Sequence, residues 1–350
     1  MREWWRDAVI YQIYPRSFQD DNGDGVGDLK GITRRLDYVA SLGVDAIWLS
    51  PFFTSPDKDM GYDVSEYTSV NPLFGTIDDF DALMTKAHGL GLKVIIDQVL
   101  SHTSDQHEWF KESRKDKTTP KADWYVWADP QKDGTAPTNW PSVFGGSAWM
   151  FDARRRQYYL HNFLVEQPDL NFHNPEVVDA LIETMRFWLE RGVDGFRLDT
   201  VNFYVHDKKL RNNPPNDWDE FPGNPYEAQA PLFAKTQPDN IAVLQRFRGL
   251  MDEFDDRMLI GEGGDDWNRQ VEVMGRYTSG NDKLHMAYTF ELLNKPRSPE
   301  FLRDVIRTTN DSVRDGWPCW AVSNHDVVRM RTRGGADEDP IQYPLVILAL

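Results

Sequence analysis

Short apolar runs alternate with stretches of helical periodicity along most of the chain. Ala8–Phe18 is predicted to be a strand, and Leu29–Gly43 repeats its apolar residues every three or four positions, as one face of a helix does. Val44–Pro51 is a second predicted strand. Thr76–Gly91 is a second predicted helix, because its first residue is a good N-cap and its apolar residues share one face. Leu92–Val99 is almost continuously apolar, which is typical of a strand in a parallel sheet covered on both faces.

The same alternation continues in the second half of the chain. A helix is predicted to begin at Asn174-Pro175 and to end at Gly192, and the strand Gly195-Phe-Arg-Leu-Asp199 follows at once. Three further strands are predicted at Arg257–Gly261, Leu284–Phe290 and Pro318–Ser323. Strands that alternate regularly with helices favour an α/β fold of the (β/α)8 barrel type. A doubly wound open sheet is the alternative.

One interval interrupts this alternation. Residues 103–171 contain no long helical stripe and are rich in Trp, Asp, Pro and Gly. They are predicted to form a subdomain inserted after the third strand, at the end of the barrel where βα loops build active sites. The predicted organisation is therefore a first part of the barrel at 1–102, the inserted subdomain at 103–171, and the continued barrel at 172–350. Ile341–Leu350 resembles the opening of a seventh helix, so the chain is expected to end before the eighth strand.

Composition narrows the possible partners and compartment. The 350 residues carry a net charge of −17, which argues against nucleic acid or an anionic membrane as a partner. Cys319 is the only cysteine, so no internal disulfide is expected. The N-terminus has no signal-peptide pattern, and no apolar run approaches the roughly 20 residues of a membrane span. A cytoplasmic monomer or homodimer is expected.

Charged residues follow several of the predicted strands. Arg197 and Asp199 are two positions apart and point to the same side of one strand, and an adjacent arginine keeps a carboxylate ionised. Glu262 and Asp326 follow later strands. Because the strand ends of a barrel converge, three carboxylates would surround one pocket, and two are enough for glycoside hydrolysis. The alternative for each is a structural ion pair or a loop cap.

Four segments in order resemble the conserved regions of the α-amylase family (glycoside hydrolase family 13). They are Asp97-Gln-Val-Leu-Ser-His102, Gly195-Phe-Arg-Leu-Asp199, Ile260-Gly-Glu262 and Ser323-Asn-His-Asp326. Gln167-Pro-Asp-Leu-Asn171 resembles an extra region of the oligo-1,6-glucosidase and α-glucosidase branch, and Gly43–Pro51 resembles the second-strand region. The resemblance extends from about Trp5 to the end of the chain.

The resemblance implies roles for three carboxylates. Asp199 resembles the nucleophile that forms a covalent glucosyl intermediate, and Glu262 resembles the general acid/base. Asp326 resembles the carboxylate that binds sugar hydroxyls and stabilises the transition state. The implied activity is that of a retaining, exo-acting α-glucosidase on small carbohydrates, with transglucosylation.

The resemblance also implies a set of substrate-binding residues. Asp59 resembles the residue that closes the pocket at the non-reducing end, and Tyr62 resembles the aromatic platform beneath the glucosyl ring. Phe144 and Phe163 are expected either to line the pocket or to pack in the core. The remaining implied residues orient the nucleophile, hold sugar hydroxyls or contact the second sugar: Arg197, His102, His325 and Thr200.

The chain departs from the family pattern at two places. Ser101 stands where many members have asparagine before the histidine, which is expected to alter a hydrogen bond at the site. A further arginine of the branch and a C-terminal β-domain would lie beyond Leu350. The missing end of the barrel and this β-domain are therefore expected in the full protein.

An acidic loop near the N-terminus has the pattern of a calcium loop. Oxygen ligands occur at alternate positions from Asp20 to Asp28, and the branch that the chain resembles often holds a divalent ion there. The expected structural Ca²⁺ or Mg²⁺ would be bound by Asp20, Asn22, Asp24, the carbonyl oxygen of Val26, and Asp28. Gly31 occupies the place of the bidentate glutamate, so the loop is not an EF-hand. A solvated acidic turn is the alternative.

Three readings of function remain open at this stage. The first is the α-glucosidase, and the second is an oligo-1,6-glucosidase or a sucrose- or trehalose-directed relative with the same carboxylates. The third is a non-catalytic relative that serves as a transporter's accessory protein. The complete set of Asp199, Glu262 and Asp326 argues against the third.

Overall fold

The computed structural model describes residues 3–217, 223–264, 269–294 and 298–333. Its strands are β1 (Ile10–Ile13), β2 (Ala46–Leu49), β3 (Phe53–Thr54), β4 (Glu66–Val70), β5 (Lys93–Gln98), β6 (Trp127–Ala128), β7 (Trp149–Asp152), β8 (Gln157–Leu160), β9 (Gly195–Leu198), β10 (Met258–Glu262) and β11 (Met286–Tyr288). Its helices are α1 (Pro15–Phe18), α2 (Leu29–Ser41), α3 (Ile77–Gly89), α4 (Glu108–Ser113), α5 (Pro175–Glu190), α6 (Asn240–Met251), α7 (Gln270–Thr278), α8 (Glu291–Asn294), α9 (Pro299–Ser312) and α10 (Met330–Arg333). Two short 3₁₀ turns cover Val201–Phe203 and Pro225–Ala228.

Six strands form one parallel sheet in the order β1-β2-β5-β9-β10-β11. Every neighbouring pair is parallel, and the spatial order follows the chain order, as in the wall of a β/α barrel. Parallel strands need long crossovers, and in most cases here a helix lies between consecutive strands. The sheet and its outer helices enclose the main apolar core, in which Trp188 stacks on Phe53.

The helix boundaries follow from local capping chemistry. Thr76 and Asp79 form a reciprocal capping box at the start of α3. Asn174 accepts a hydrogen bond from the N–H of Glu176 at the start of α5, and Pro175 occupies the first helical position. The helices predicted after Thr76 and Asn174 are therefore confirmed to within two residues.

Two predicted strands are wrong in part or whole, and proline is the reason in each case. The strand predicted for Ala8–Phe18 covers only Ile10–Ile13, because Pro15 begins the short helix α1. Pro318–Ser323 is not a strand in the described part of the chain. Only one parallel bridge joins Pro318 to Ala287, since proline has no N–H to continue the ladder. The seventh helix predicted at Ile341–Leu350 lies outside the described residues.

The interval from residue 103 to 171 contains a small sheet of its own. Strands β6, β8 and β7 pair antiparallel, with β8 in the middle. Trp149, the first residue of β7, is buried with Trp140 in a separate apolar cluster. The end of the interval returns to the barrel, where Asp169 pairs with His102 just beyond β5. The predicted boundaries of the three parts stay a prediction.

Candidate active site

Arg197 contacts three carboxylates at the carboxyl ends of neighbouring strands. Its Nη1 donates to Asp97 Oδ1 at 2.9 Å and to Asp199 Oδ1 at 2.6 Å. Its Nη2 lies 2.5 Å from Glu262 Oε1. Asp97 lies in β5, Asp199 directly follows β9, and Glu262 ends β10. All four side chains are buried, so parallel pairing has brought distant segments of the chain to one charged centre.

Three carboxylates surround one guanidinium, so the centre has an excess of acidic groups. Their mutual repulsion and burial shift the pKa values of Asp199 and Glu262. Burial and the neighbouring carboxylates raise the pKa of Asp199 well above its usual range, against the opposing charge of Arg197. Burial alone would also raise the pKa of Glu262. Arg197, the backbone N–H of Thr200 and the hydroxyl of Tyr288 outweigh it, so that pKa is lowered. The pKa values of these two neighbouring carboxylates are therefore shifted in opposite directions.

Thr200 connects these two carboxylates through an unusual backbone. Its φ of 41° and ψ of 46° lie in the left-handed region, which β-branched residues rarely adopt. Its N–H lies 3.1 Å from Glu262 Oε2 and donates to it. Its hydroxyl oxygen lies 3.3 Å from Asp199 Oδ2. Strained conformations of this kind occur preferentially at functional sites.

His102 and Tyr62 lie on the side of the site that borders the inserted segment. His102 is buried, and its Nε2 donates to the carbonyl oxygen of Tyr62 at 2.9 Å. Burial lowers the pKa of His102 to about 4, so the ring is neutral near pH 7. The hydroxyl of Tyr62 donates to Asp97 Oδ2 at 3.2 Å. The Tyr62 ring stacks with His325 at 5.3 Å, so His325 covers part of the predicted sugar platform.

His325 and Asp326 interact electrostatically with the charged centre, and Asp59 interacts with Asp326. His325 Nδ1 lies 2.9 Å from Gln12 Nε2, and the charges of Asp97 and Glu262 act on its ring. Asp326 is 61% exposed, so it is the one predicted catalytic carboxylate that is not enclosed. Desolvation, followed by the charge of Glu262, raises the pKa of Asp326.

Asp59 interacts with Gln167 and with Asp326. Desolvation raises its pKa, a hydrogen bond from Gln167 opposes the rise, and the charge of Asp326 adds to it. The hydrogen bond joins Gln167 Nε2 to Asp59 Oδ2 at 2.8 Å. The two predicted binding carboxylates Asp59 and Asp326 are therefore close enough to interact.

The two predicted phenylalanines differ in their surroundings. Phe163 is partly buried and contacts His102, with ring centroids 5.3 Å apart. Phe144 is 57% exposed and packs edge-on against Phe163 at 5.7 Å. Phe203, which follows β9, lies 5.2 Å from Phe163 on another side. These rings form an aromatic row that extends outward from His102 along the inserted segment.

Some members of the charged centre were not predicted as site residues. Asp97 stands near the end of a predicted strand and begins one of the family segments, but it has no predicted role, although its partner in the sheet register is Arg197. Trp48 donates through Nε1 to Asp97 Oδ2 at 3.1 Å. Tyr288 ends β11, and its hydroxyl accepts from Arg197 and donates to Glu262. A polar aromatic residue within the predicted strand Leu284–Phe290 was the available signal for Tyr288.

The acidic loop at Asp20–Asp28 is held by its own backbone amides. Asp20 accepts from the N–H groups of Gly23 and Gly25, which lower its pKa. Asp28 caps α2 by accepting from the N–H of Gly31. A Cβ at Gly31 would collide with the carbonyl oxygen of Gln19, so this position cannot supply a side-chain ligand.

The oxygen donors of this loop are of the kind that hard divalent cations prefer, but they are dispersed. Within the described ranges, no three His, Cys, Asp or Glu side chains converge closely enough to hold a metal ion. The bound ion therefore stays a prediction.

A parallel β/α barrel with buried acids and an arginine at the carboxyl ends of its strands has the architecture of the barrel enzymes. The chain belongs to the alpha-amylase family, since the sequence profile described as "Alpha amylase, catalytic domain" matches residues 12–348. The catalytic domain of that family is a (β/α)8 barrel, which confirms the predicted fold class.

Named relatives and solved structures agree with this assignment. The chain is 58% identical over 348 residues to "Probable alpha-glucosidase" of Rhizobium meliloti (strain 1021), covering 97% of this chain and 63% of the relative. It is 41% identical to an oligo-1,6-glucosidase of Heyndrickxia coagulans, covering 96% and 62% of the two chains. The crystal structure of the α-glucosyl transfer enzyme XgtA superposes with a TM-score of 0.94 at 57% identity, covering 97% of this chain and 64% of that one. The chain thus spans less than two thirds of these relatives.

No helix in the described part of the chain is both long and apolar enough to cross a membrane.

Proposed function

We propose that the chain carries the catalytic centre of a retaining, exo-acting α-glucosidase. Its substrates would be terminal α-1,4-linked glucosyl units of short oligosaccharides, or aryl and alkyl α-glucosides. The observation that carries the proposal is the buried contact of Arg197 with both Asp199 and Glu262. Two carboxylates held side by side at a barrel's active-site end are sufficient for glycoside hydrolysis.

The reaction would use the two carboxylates in sequence. An oxygen of Asp199 attacks the anomeric carbon, the glycosidic bond breaks, and the leaving oxygen takes the proton of Glu262. Glu262 then removes a proton from water, the water oxygen attacks the same carbon, and Asp199 leaves. Replacing that water by a hydroxyl of a sugar or alcohol gives transglucosylation. The solved relative whose title names it an α-glucosyl transfer enzyme supports this extension.

This sequence of steps needs opposite protonation states on the two carboxylates. The attacking Asp199 must be ionised, and Glu262 must carry the proton that the leaving oxygen takes. Arg197 contacts both carboxylates, so it can remain paired with whichever of them is ionised.

The exo-acting mode rests on Asp59 and Asp326. Their carboxylates interact across the opening of the site, and Asp59 is fixed by Gln167. Carboxylates placed there would bind the hydroxyls of one terminal glucosyl unit and leave no room for a longer chain beyond it.

An oligo-1,6-glucosidase is the second candidate. The observation that favours it is Gln167, which begins the segment typical of that branch and which binds Asp59 in the site. The chain is also similar to relatives named oligo-1,6-glucosidase and, at 36% identity, to a solved trehalose-6-phosphate hydrolase. These names support α-1,6-linked and trehalose-type substrates as alternatives.

A substrate panel tests the proposal. Maltose, isomaltose, sucrose, trehalose and an aryl α-glucoside should be offered to the full-length protein, with the first-formed anomer followed by NMR. Turnover of maltose and the aryl glucoside with α-glucose appearing first is the expected result. β-Glucose as the first product would show that the reaction inverts the anomeric configuration. Absence of turnover with every α-glucoside would refute the proposed enzymatic activity.

We also propose a structural Ca²⁺ or Mg²⁺ at the Asp20–Asp28 loop. The support is the donor set: side-chain oxygens of Asp20, Asn22 and Asp24 occur at alternate positions of a turn-rich loop, and Asn22 and Asp24 are exposed. The ion would add local stability and would take no part in the chemistry. A cytoplasmic location is proposed as well, supported by the single cysteine.

A further inference from the structure

The side chain of Gln12 faces the site from the first strand of the sheet. Gln12 lies in β1 and pairs in register with Trp48 of β2, so the two side chains lie on the same face of the sheet. Trp48 donates to Asp97, so this face is the one that carries the carboxylates of the charged centre. The steps of the proposed reaction do not use Gln12, and its side chain needs another explanation.

Both protons of the Gln12 amide have acceptors. Gln12 Nε2 donates to Ser50 Oγ at 3.0 Å and lies 2.9 Å from His325 Nδ1. An amide nitrogen can only donate, so His325 Nδ1 accepts this bond and carries no proton. Burial and the charge of Arg197 lower the pKa of His325, so most of the rings are neutral near pH 7. The single proton of the neutral ring is therefore on Nε2.

The protonated nitrogen of His325 lies beside a carboxylate. His325 Nε2 is 3.5 Å from Asp326 Oδ1, which is longer than an ordinary N–H···O hydrogen bond of about 3 Å. The N–H therefore remains available to a ligand, and it stands next to an acceptor. Neighbouring hydroxyls of a sugar can accept from the N–H and donate to the carboxylate. Without a proton on Nε2, the ligand would meet two acceptors and no donor.

Aromatic contacts fix the plane of the His325 ring but not its orientation within that plane. Tyr14 and Tyr62 stack on it with ring centroids at 5.7 and 5.3 Å and interplanar angles of 18° and 4°. A half turn about the Cβ–Cγ bond keeps this plane, but it exchanges Nδ1 with a carbon and moves Nε2 away from Asp326. The hydrogen bond from Gln12 distinguishes the two orientations, because a ring carbon cannot accept it.

We propose that Gln12 is a positioning residue for the glucosyl pocket: its amide N–H holds His325 in the orientation in which a protonated Nε2 lies beside Asp326. The inference rests on the proposed function, in which Asp326 binds hydroxyls of the terminal glucosyl unit. Gln12 acts through His325 and not on the reacting atoms. Removing its N–H should therefore weaken the use of substrate only while the His325 ring is present.

The kinetic test measures kcat/KM for an aryl α-glucoside at about pH 7 in the full-length protein. Gln12→Met keeps an unbranched side chain of similar length but removes the N–H, so the His325 ring is free to turn. The value of kcat/KM should fall about two- to tenfold, the range of one hydrogen bond to the sugar. In the His325→Ala background the same substitution should cause no further fall, because no ring remains to be held.

Gln98→Met is the matched control for this substitution. Gln98 is a buried glutamine of β5, and neither polar atom of its side chain has a hydrogen-bond partner among the described residues. Its replacement should leave kcat/KM unchanged in both backgrounds. An unchanged kcat/KM in Gln12→Met, or an equal fall with and without the His325 ring, overturns the proposal.

The position of the ring proton can be measured without turnover, by ¹⁵N NMR of protein labelled at histidine. Protonated and unprotonated ring nitrogens have well-separated shifts, and the signals of His325 are those that disappear in His325→Ala. The wild type should show an unprotonated Nδ1 and a protonated Nε2. Gln12→Glu places only acceptor oxygens opposite Nδ1, so Nδ1 should gain a proton. A proton on Nδ1 in the wild type, or no response of Nδ1 to Gln12→Glu, overturns the proposal.

The two measurements separate this inference from the proposed function. Absence of α-glucosidase activity in the wild type refutes the function, and the NMR spectra then decide the role of Gln12. An active wild type whose His325 carries its proton on Nδ1 keeps the function and refutes the role of Gln12 alone. If the variants of Gln12 do not fold, the spectrum of the wild type still decides, because the proposal requires an unprotonated Nδ1 there.

Discussion

The hydroxyl of Tyr288 donates to Oε1 of Glu262 at 3.1 Å, and the two residues are partners in the register of β10 and β11. The same hydroxyl accepts from Nε and Nη2 of Arg197 at 3.1 and 2.9 Å. Tyr288 is buried, so its hydroxyl acts on Glu262 without competition from water. A donor directed at a carboxylate stabilises the ionised form, which is one reason that the pKa of Glu262 is lowered.

Tyr288→Phe should therefore raise the pKa of Glu262. A glutamate that retains its proton to higher pH extends catalysis into the alkaline range, so kcat/KM on the alkaline limb should rise about two- to tenfold relative to the acidic limb. The measurement is the pH profile with an aryl α-glucoside. Tyr204→Phe is the matched control, since the buried Tyr204 hydroxyl has no hydrogen-bond partner among the described residues. An alkaline limb that moves to lower pH would contradict the assignment.

Asp199→Asn should abolish turnover while preserving the fold. Removing a nucleophile costs many powers of ten in rate, far more than local repacking does. The melting temperature should be unchanged or higher, because one of three crowded carboxylates is replaced by a neutral group of the same shape. Near wild-type hydrolysis of an aryl α-glucoside by this variant would show that Asp199 is not the nucleophile.

Glu262→Gln should affect substrates according to their leaving groups. Substrates with poor leaving groups need a proton on the departing oxygen, so they should slow far more than activated aryl glucosides. Azide should then restore turnover of an activated substrate and release an α-configured glucosyl azide, since it attacks the covalent intermediate from the face opposite Asp199. A β-configured product would contradict retention and the roles given to both carboxylates.

Asp169 should make the protein less stable as pH rises. It is buried, Asn162 donates to its Oδ2, and its Oδ1 has no partner among the described residues. Burial raises its pKa to about 8, so the folded state holds a proton that the unfolded chain releases above about pH 4. The stability contributed by this proton is complete below about pH 4 and is lost progressively up to about pH 8.

Asp169→Asn should consequently raise the melting temperature more at about pH 8 than at about pH 5. Asp207→Asn is the control with the opposite sign. Arg211 lowers the pKa of Asp207 to about 2, so its contribution is constant between these pH values and its loss should be destabilising at both. An Asp169→Asn effect that does not depend on pH would show that this carboxyl group is not protonated in the folded state.

Chelation should lower the melting temperature before it removes activity, if the Asp20–Asp28 loop holds an ion. Ligand binding to the folded state stabilises it by mass action, so added Ca²⁺ or Mg²⁺ should restore the value. Asp24→Asn should remove the chelator effect. Asp133→Asn alters a comparable exposed turn, in which Asp133 accepts from Thr135, and should leave the effect intact. No response of the wild type to chelator or metal would leave the loop as an acidic turn.

Local sequence patterns were sufficient for most of the barrel. The helix after Thr76 was predictable because a capping box and an apolar stripe indicate the same start. The patterns failed at Pro15 and Pro318, where an apolar context suggested strands but a missing N–H prevents the ladder from continuing. Strand propensity reflects the preferences of side chains, so it does not account for the backbone N–H that proline lacks.

The charged centre was predictable only in part. Arg197 lies in β9 and Asp199 directly follows that strand, so their contact follows from the two-residue period of extended backbone. The pairing of Asp97 with Arg197, and of Tyr288 with Glu262, depends on the register between strands that are distant in sequence. The sequence pattern of one segment does not determine the register between two strands. The contact of Tyr288 with Glu262 could therefore not be predicted before the structure was known.

Linkage preference should depend on Thr200. Its hydroxyl oxygen lies 3.3 Å from Asp199 Oδ2, next to the proposed nucleophile, whereas Gln167 binds Asp59. A hydroxyl can hydrogen-bond to the second sugar where a methyl group cannot, and buried polar groups left unpaired give large discrimination. Maltose should therefore be preferred over isomaltose, although the Gln167–Asn171 segment is typical of α-1,6 enzymes.

Thr200→Val should narrow this preference by a factor of about 10, the range expected for one hydrogen bond. Valine has the same branched shape, so it should tolerate the left-handed backbone of Thr200 about as well as threonine does. The measurement is kcat/KM for the two disaccharides in both proteins, with Ser104→Ala as a control that should keep the wild-type ratio. A higher kcat/KM for isomaltose than for maltose in the wild type would refute the α-1,4 assignment. It would indicate that Gln167, and not Thr200, determines the linkage preference.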